Sequence, residues 1–244
     1  MNKTINDFNL VVTEYPKSGG TWLTSLIGAA LCIPMRDLYI TQERIDDRNN
    51  SFYKGILDHP WYKDITHGVN LIMPCVVKSH ELPHSPLLDF NAKYIHLFRD
   101  GRDIAVSRYF FEKEFCVKNG LTQNFDMSFE DMLVKVATEW KIYVKAWMNE
   151  DALFLRYEDL LTDTKLALVS LLNQCNVTYQ DSQLDFAIAD NVKDKMSSKL
   201  SAVYSHNTFV RKGIAGDWKN HFTASHCEIF DAIAGDLLKE LGYA

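Results

Sequence analysis

The chain lacks any long run of apolar residues. No stretch approaches the roughly 20 apolar residues that a membrane-spanning helix needs, so we expect no membrane association. Few residues precede the first apolar run, at residues 10–12, and this leaves no room for the charged and apolar regions of a secretory signal peptide. We therefore expect a cytoplasmic protein.

Paired cysteines are also missing. The five cysteines stand singly, without a CxxC pair, at Cys32, Cys75, Cys116, Cys175 and Cys227. This spacing argues against a zinc site or a disulfide framework and favours a reducing compartment. We expect no bound metal, because a chain of 244 residues can bury enough apolar surface to fold without one.

The chain also lacks an excess of positive charge. The chain has 26 Lys and Arg against 32 Asp and Glu, a formal net charge of −6. Proteins that bind nucleic acid usually carry a basic surface, so we expect no nucleic-acid partner. The length suits one domain over residues 1–244. Any basic pocket in this acidic chain must be local.

Short β-rich runs alternate with helical periods, which is typical of a single α/β domain with a mainly parallel central sheet flanked by helices. Strands are predicted at residues 8–14, 72–78, 93–98 and 152–157. Helices are predicted from Trp22 to a stop at Pro34, and at residues 101–115, 129–148, 164–175 and 224–241. Residues 191–215 show no period and are predicted to form a long loop, and residues 38–70 predict no element.

A glycine-bearing turn, Lys17-Ser18-Gly19-Gly20-Thr21, separates the first predicted strand from its helix. Strand, turn and helix in this order point backbone N–H groups and the helix dipole at an anion. Lys17 adds a positive charge, while Ser18 and Thr21 add hydroxyl donors. The lysine precedes the glycines, so the kinase order GxxxxGK[ST] is not met. A turn whose glycines serve only chain geometry is the plain alternative.

Two later segments also suit anions. Arg99 follows a predicted strand and precedes Ser107 by eight residues, and a guanidinium fork with a hydroxyl is a phosphate-binding pair. Arg211 and Lys212 directly precede Gly213. Adjacent cations suit a phosphate clamp, although they are also common on solvated surfaces.

These segments resemble those of cytosolic-type sulfotransferases that use 3′-phosphoadenosine 5′-phosphosulfate (PAPS). Residues 15–22 read YPKSGGTW where the family often has YPKSGTTW, and residues 211–223 match RKGxxGDWKxxFT at every fixed position. The resemblance covers residues 10–243 and is weak between 35 and 70. It implies a P-loop-like phosphate-binding turn. It also implies transfer of a sulfuryl group from PAPS to a hydroxyl or amine of a small-molecule acceptor, without a metal.

The resemblance also implies which residues bind the donor. Those expected at the 5′-phosphosulfate are Lys17, Ser18, Gly19, Gly20 and Thr21, with Gly20 losing a hydroxyl but keeping a backbone donor. Those expected at the 3′-phosphate are Arg99, Ser107, Arg211, Lys212 and Gly213. Those expected at the adenine are Trp22 and Tyr157, the latter in a YED run.

His80 is the candidate general base. It ends the run Val77-Lys78-Ser79-His80, at the end of a predicted strand where an open α/β sheet forms its pocket. Histidine titrates near neutral pH, but a lone histidine is more often structural. Resemblance to the family's KTH segment favours the catalytic role, with Lys78 and Lys17 stabilising charge and Ser107 steering Lys17. The adjacent Glu81 is the competing base.

The acceptor side and the oligomer are less defined. Lys219, Thr223 and Glu228 nearly fit the family's KxxxTVxxxE dimer segment, with Ala224 in place of the valine, which implies a possible homodimer. Aromatic residues expected near the acceptor are Tyr39, Phe52, Tyr53, Trp61, Tyr62, Tyr109, Phe110, Phe111 and Phe115.

Two other functions compete with this interpretation. A nucleotide kinase or related phosphotransferase would need a lysine after the glycines and a carboxylate for magnesium. The second is a non-catalytic nucleotide-binding module. The presence of Lys17, Lys78 and His80 argues against this second function.

Overall fold

Five parallel strands form the centre of the molecule. The computed structural model describes residues 8–37, 74–89, 91–118, 124–201 and 210–244. The strands are β1 (Asn9–Glu14), β2 (Met35–Asp37), β3 (Val76–Ser79), β4 (Ala92–Phe98) and β5 (Ala152–Arg156). They pair in the order β2-β3-β1-β4-β5, each pair parallel. The predicted parallel α/β sheet is confirmed.

Helices cover both faces of this sheet. Within the described ranges they are α1 (Gly20–Leu31), α2 (Gly101–Phe110), α3 (Phe129–Met148), α4 (Tyr157–Thr162), α5 (Thr164–Gln174), α6 (Asp181–Asp190), α7 (Lys193–Ser201) and α8 (Ala224–Glu240). Short 3₁₀ turns lie at Pro86–Leu88 and Asp217–Asn220, and a π-helical turn, Phe111–Cys116, extends α2. No helix in the described part of the chain is long and apolar enough to span a bilayer.

Alternating residues of β1 build two apolar cores. Because successive side chains of a strand point to opposite faces, Leu10 and Val12 lie in one core and Val11 in the other. The first core includes residues of α1, α4, α5 and α6, and the second includes residues of α2, α3 and α8. The sheet is therefore buried on both sides, as a parallel sheet requires.

The strand order creates a switch point beside β1. β3 and then β2 lie on one side of β1, and β4 and then β5 lie on the other. In such sheets the crevice at the carboxyl ends of the strands is the usual ligand site. Glu14, Ser79 and Phe98 end β1, β3 and β4, so the segments that follow these residues meet in one place.

The boundaries of α1 follow from its caps. The helix begins at Gly20, two residues earlier than predicted, because Gly19 adopts a left-handed conformation with φ 107° and acts as the N-cap. It ends before Cys32, whose φ of 53° is also left-handed, and Pro34 follows as expected.

The predicted long loop at residues 191–215 is wrong, because α7 occupies Lys193–Ser201. The helix is rich in Lys and Ser, so no apolar period marks it in the sequence. Met196 is a deeply buried residue of this helix. The short strand β2 and helix α6 were not predicted either. Tyr157 begins α4 instead of ending a strand.

Gly101 allows α2 to pack closely on α3 and α8. A Cβ atom at this position would lie 2.7 Å from the ring of Trp140 and 2.9 Å from that of Phe230, and both rings are fully buried. We expect Gly101→Ala to lower the free energy of unfolding by about 1–3 kcal/mol, a typical effect of overpacking, despite the higher helix propensity of alanine.

Gly235→Ala in α8 is the matched control, since the atom nearest to its Cβ would be Cβ of Asp231, at 3.4 Å. We expect this change to leave stability unchanged or raise it by up to about 1 kcal/mol. Denaturant unfolding of both variants measures the difference. Equal effects of the two substitutions would contradict the packing argument.

Candidate active site

A cavity of about 450 Å³ opens at the carboxyl ends of β1, β3 and β4. Six cations line it among the described residues, namely Lys17, Lys78, Arg99, Lys193, Arg211 and Lys212. The lining carboxylates are Glu14 and Asp217. In a chain whose net charge is −6, this concentration of positive charge indicates an anionic ligand.

The turn between β1 and α1 forms the first wall. Lys17 has a φ of 80°, which is unusual for a residue other than glycine, and Gly19 has a φ of 107°. A Cβ atom on Gly19 would lie 2.8 Å from the Tyr157 ring, so glycine is required by backbone and space together. The Lys17 ammonium lies 3.9 Å from the centre of the Phe111 ring. A strained backbone of this kind is common where side chains must be aimed at a ligand.

Two expected ligand donors of this turn have partners within the protein. The Ser18 hydroxyl donates to the Tyr15 carbonyl at 2.7 Å, and Ser18 is buried and does not line the cavity. The backbone N–H of Gly20 donates to Glu14 Oε2 at 2.5 Å. In the described structure both donors thus bond within the protein.

Arg99, which follows β4, forms the second wall and joins the turn to the loop at residues 210–218. Its guanidinium donates to the carbonyl of Lys17 at 3.3 Å and to that of Ile214 at 2.8 Å. It also stacks 4.4 Å from the centre of the Tyr157 ring. The Arg99 Nε is buried and has no hydrogen-bond partner among the described residues. An anionic oxygen is the kind of group that would satisfy it.

The loop at residues 210–218 forms the third wall, and Asp217 in it holds the cations Arg211 and Lys212. Its buried carboxylate accepts hydrogen bonds from Arg211, from Lys212 at 2.7 Å and from His221 at 3.2 Å. Although burial opposes the charge, the hydrogen bonds from Lys212 and Arg211 lower the pKa of Asp217. The sequence reasoning missed this residue, whose signal was its place four residues after the Arg-Lys-Gly run.

His80 follows β3 and contacts Lys78. His80 Nδ1 lies 2.9 Å from the Glu14 carbonyl, which can only accept, so Nδ1 carries the hydrogen and Nε2 accepts from Lys78 at 3.1 Å. Burial and the charge of Lys78 lower the pKa of His80 to about 3. The imidazole is therefore neutral near pH 7, and Nε2 is the atom that can take a proton.

The competing base lies elsewhere. The Glu81 carboxylate accepts a hydrogen bond from Ser85 at 2.7 Å, and Glu81 does not line the cavity.

Lys78 forms an ion pair with Asp37 at 3.4 Å. Although burial opposes the charge, Asp37 and Glu14 raise the pKa of Lys78.

An aromatic and apolar wall lies beside these charges. Trp22 and Tyr157 meet edge to face with ring centres 6.0 Å apart, and Trp22 Nε1 donates to the Asn191 carbonyl at 2.9 Å. Val192 and Met196 line the same cavity. Such a wall suits a planar heteroaromatic group.

The cavity brings together most of the predicted site residues. Those that line it are Lys17, Gly19, Gly20, Thr21, Trp22, Lys78, His80, Arg99, Ser107, Tyr157, Arg211, Lys212 and Gly213. Of the predicted acceptor-side aromatics, Phe111 lines the cavity, whereas Tyr109 and Phe110 do not. The remaining ones lie outside the described residues or, for Phe115, have an undescribed side chain.

The described side chains contain no group of three or more His, Cys, Asp or Glu placed to hold a metal ion.

Comparisons with known proteins agree on one family. A family model described as a sulfotransferase domain matches residues 7–242. Sulfotransferase 1B1 of Mus musculus is 29% identical over 248 residues, which cover 92% of this chain and 81% of that protein.

The fold is shared with solved structures of other proteins. Mouse sulfotransferase SULT7A1 in complex with PAP has a TM-score of 0.65 at 18% identity, covering 94% of this chain and 84% of the other. Retinol dehydratase in a complex with retinol and PAP has a TM-score of 0.64 at 20% identity, covering 95% and 81%.

Asp103 fixes the backbone of the third wall. Its buried carboxylate accepts the N–H groups of Gly216 at 2.7 Å and Trp218 at 2.8 Å. Asparagine has one acceptor oxygen and cannot satisfy both donors. We expect Asp103→Asn to lower the free energy of unfolding by about 1–3 kcal/mol, the cost of an unmatched buried group.

Asp236→Asn in α8 is the control for loss of a carboxylate. Asp236 is exposed and pairs with Lys141 and Lys145, and surface pairs contribute little to stability. Denaturant unfolding compares the two variants. An Asp103→Asn loss no larger than that of the control would show that the carboxylate does not hold this wall.

Proposed function

The chain belongs to the sulfotransferase domain family, and on that basis we propose that it transfers a sulfuryl group from PAPS to a small-molecule acceptor. One observation carries the proposal, namely that a lysine-bearing turn and an Arg-Lys-Gly segment from distant parts of the chain line one cavity. PAPS presents anionic groups at its 5′ and 3′ positions. A cavity with separate cationic walls and an aromatic side suits such a molecule.

We assign each part of the donor to a different wall of the cavity. We assign the 5′-phosphosulfate to Lys17, Gly19 and Thr21 of the turn with Lys78, and the adenine to Trp22 and Tyr157. The residues assigned to the 3′-phosphate are Arg99, Ser107, Arg211, Lys212 and Gly213. Buried Nε atoms of Arg99 and Arg211, which have no hydrogen-bond partner among the described residues, support this assignment.

In the proposed reaction His80 acts as the general base. Nε2 of His80 takes the proton of the acceptor hydroxyl or amine as the new bond to sulfur forms. The bond between sulfur and the bridging phosphate oxygen breaks, and PAP leaves. Lys17 and Lys78 stabilise the charge that develops on that oxygen, and Ser107, which lines the same cavity, steers Lys17.

The proposal extends to the acceptor, the oligomer and the compartment. Phe111 gives the cavity an apolar side next to Lys17, which suits an apolar acceptor, and the fold is shared with an enzyme that is complexed with retinol. Lys219, Thr223 and Glu228 are exposed, as a homodimer through this segment requires. The scattered cysteines favour the cytoplasm.

Thermal unfolding with nucleotides tests the donor. We expect PAP to raise the melting temperature by about 5–10 °C at 100 times its dissociation constant. We expect smaller shifts with 5′-AMP and ADP, because these lack the 3′-phosphate that Arg99 and Arg211 are proposed to bind. A shift with ATP–Mg²⁺ but not with PAP would refute the proposal and favour a kinase.

His80→Ala tests the base. We expect the rate of transfer from radiolabelled PAPS to fall about 10²–10⁴-fold, the usual contribution of a general base, while the affinity for PAP changes little. The acceptor panel is a phenol, a primary alcohol, an aryl amine and a monosaccharide. His84→Ala is the matched control, since His84 is exposed and pairs with Glu150, and it should keep the wild-type rate. Unchanged transfer by His80→Ala would exclude His80 as the base.

A further inference from the structure

The proposed reaction leaves one buried group of the cavity unexplained. Glu14 ends β1 and is 2% exposed, yet its side chain lies at the cavity and not in an apolar core. Its Oε2 accepts the N–H of Gly20, the first residue of α1. A carboxylate is an unexpected group in a site for an anionic donor, because like charges repel.

Glu14 occupies the space where a side chain at position 20 would lie. A Cβ atom built on Gly20 would be 2.3 Å from Glu14 Oε1, 2.4 Å from its Cδ and 2.9 Å from its Cγ. Gly20 is not among the residues with positive φ, so its backbone would accept alanine. Glycine is needed here for space alone, and the carboxylate fills that space.

The charges around Glu14 are mainly positive. Burial raises the pKa of Glu14 and Asp37 from β2 adds to this, while Lys78 from β3, the hydrogen bond from Gly20 and Lys17 from the turn act against it. Burial lowers the pKa of Lys17 to about 7, and Lys78 and Arg99 act in the same direction. Glu14 is the strongest influence that raises the pKa of Lys17, and Cys116 adds a weaker one.

We propose that Glu14 is a positioning residue that supplies the counter-charge for Lys17 and holds the first N–H of α1, in a pairing that requires glycine at position 20. The proposal rests on the proposed function, because Lys17 matters through the phosphosulfate group that it contacts. Glu14 acts through Lys17 and Gly20 and need not touch the donor.

The counter-charge is tested by Glu14→Gln, which keeps a hydrogen-bond acceptor and the side-chain shape but removes the charge. PAP affinity is measured by calorimetry as a function of pH, and the midpoint is the pH above which it falls. We expect this midpoint to be about one unit lower in Glu14→Gln, because loss of a nearby opposite charge lowers the pKa of Lys17, and such a charge shifts a pKa by about 1–3 units. A purely structural role would weaken binding at every pH without moving this midpoint.

Glu139→Gln is the control, because Glu139 pairs with Arg108 outside the cavity, and it should keep the wild-type midpoint. An unchanged midpoint in Glu14→Gln would refute the counter-charge role. Absence of PAP binding to the wild-type protein would refute the proposed function, and the Lys17 part of this proposal with it.

The pairing with Gly20 is tested without nucleotide. We expect Gly20→Ala to lower the melting temperature by about 5 °C in the wild type, as overpacking does. In a Glu14→Ala background the same change should cost little, because the obstructing carboxylate is gone. Equal losses in both backgrounds would show that the two positions are not coupled and would overturn the pairing, whatever the protein does with PAP.

Discussion

Buried positive charge at the carboxyl edge of the sheet is the constraint on which the site depends. Withdrawing an ammonium or a guanidinium from water is costly unless it is paired, and Lys17, Lys78 and Arg99 meet in one cavity. The structure offsets them with buried carboxylates. Glu14 also binds a backbone N–H of α1, and Asp103 binds two in the third wall. Charge compensation and loop geometry are therefore achieved by the same contacts.

Sheet topology explains why such distant segments can share this charge. β1 lies between β3 and β4, so the turn after β1, His80 after β3 and Arg99 after β4 leave the sheet side by side. Arg99 then bonds to the carbonyls of Lys17 and Ile214, which links the first wall to the third. A change in the position of either loop would be transmitted through this one guanidinium.

Part of the fold and of the candidate site could be predicted from local sequence patterns. The strand, turn and helix at residues 8–31, and Arg99 between β4 and α2, follow from patterns read over a few residues. Helix α7 could not be predicted, because its polar sequence shows no apolar period. The hydrogen bond from Gly20 to Glu14 could not be predicted either, because it depends on space left between a strand end and a helix start. Asp217 lies in the matched run at residues 211–223, but its contacts with Arg211 and Lys212 could not be predicted, because only the folded loop turns it back onto them.

The same charges bear on the basicity of His80. Burial and Lys78 lower its pKa to about 3, and Lys17 acts in the same direction, so in this structure His80 is a weak base whose Nε2 faces Lys78. An anion held against Lys17 and Lys78 would offset both charges and draw the Lys78 ammonium toward its own oxygens. The lone pair of Nε2 would then face the acceptor in a less positive environment. In the proposed reaction, donor binding would thus be linked through Lys78 to the basicity of His80.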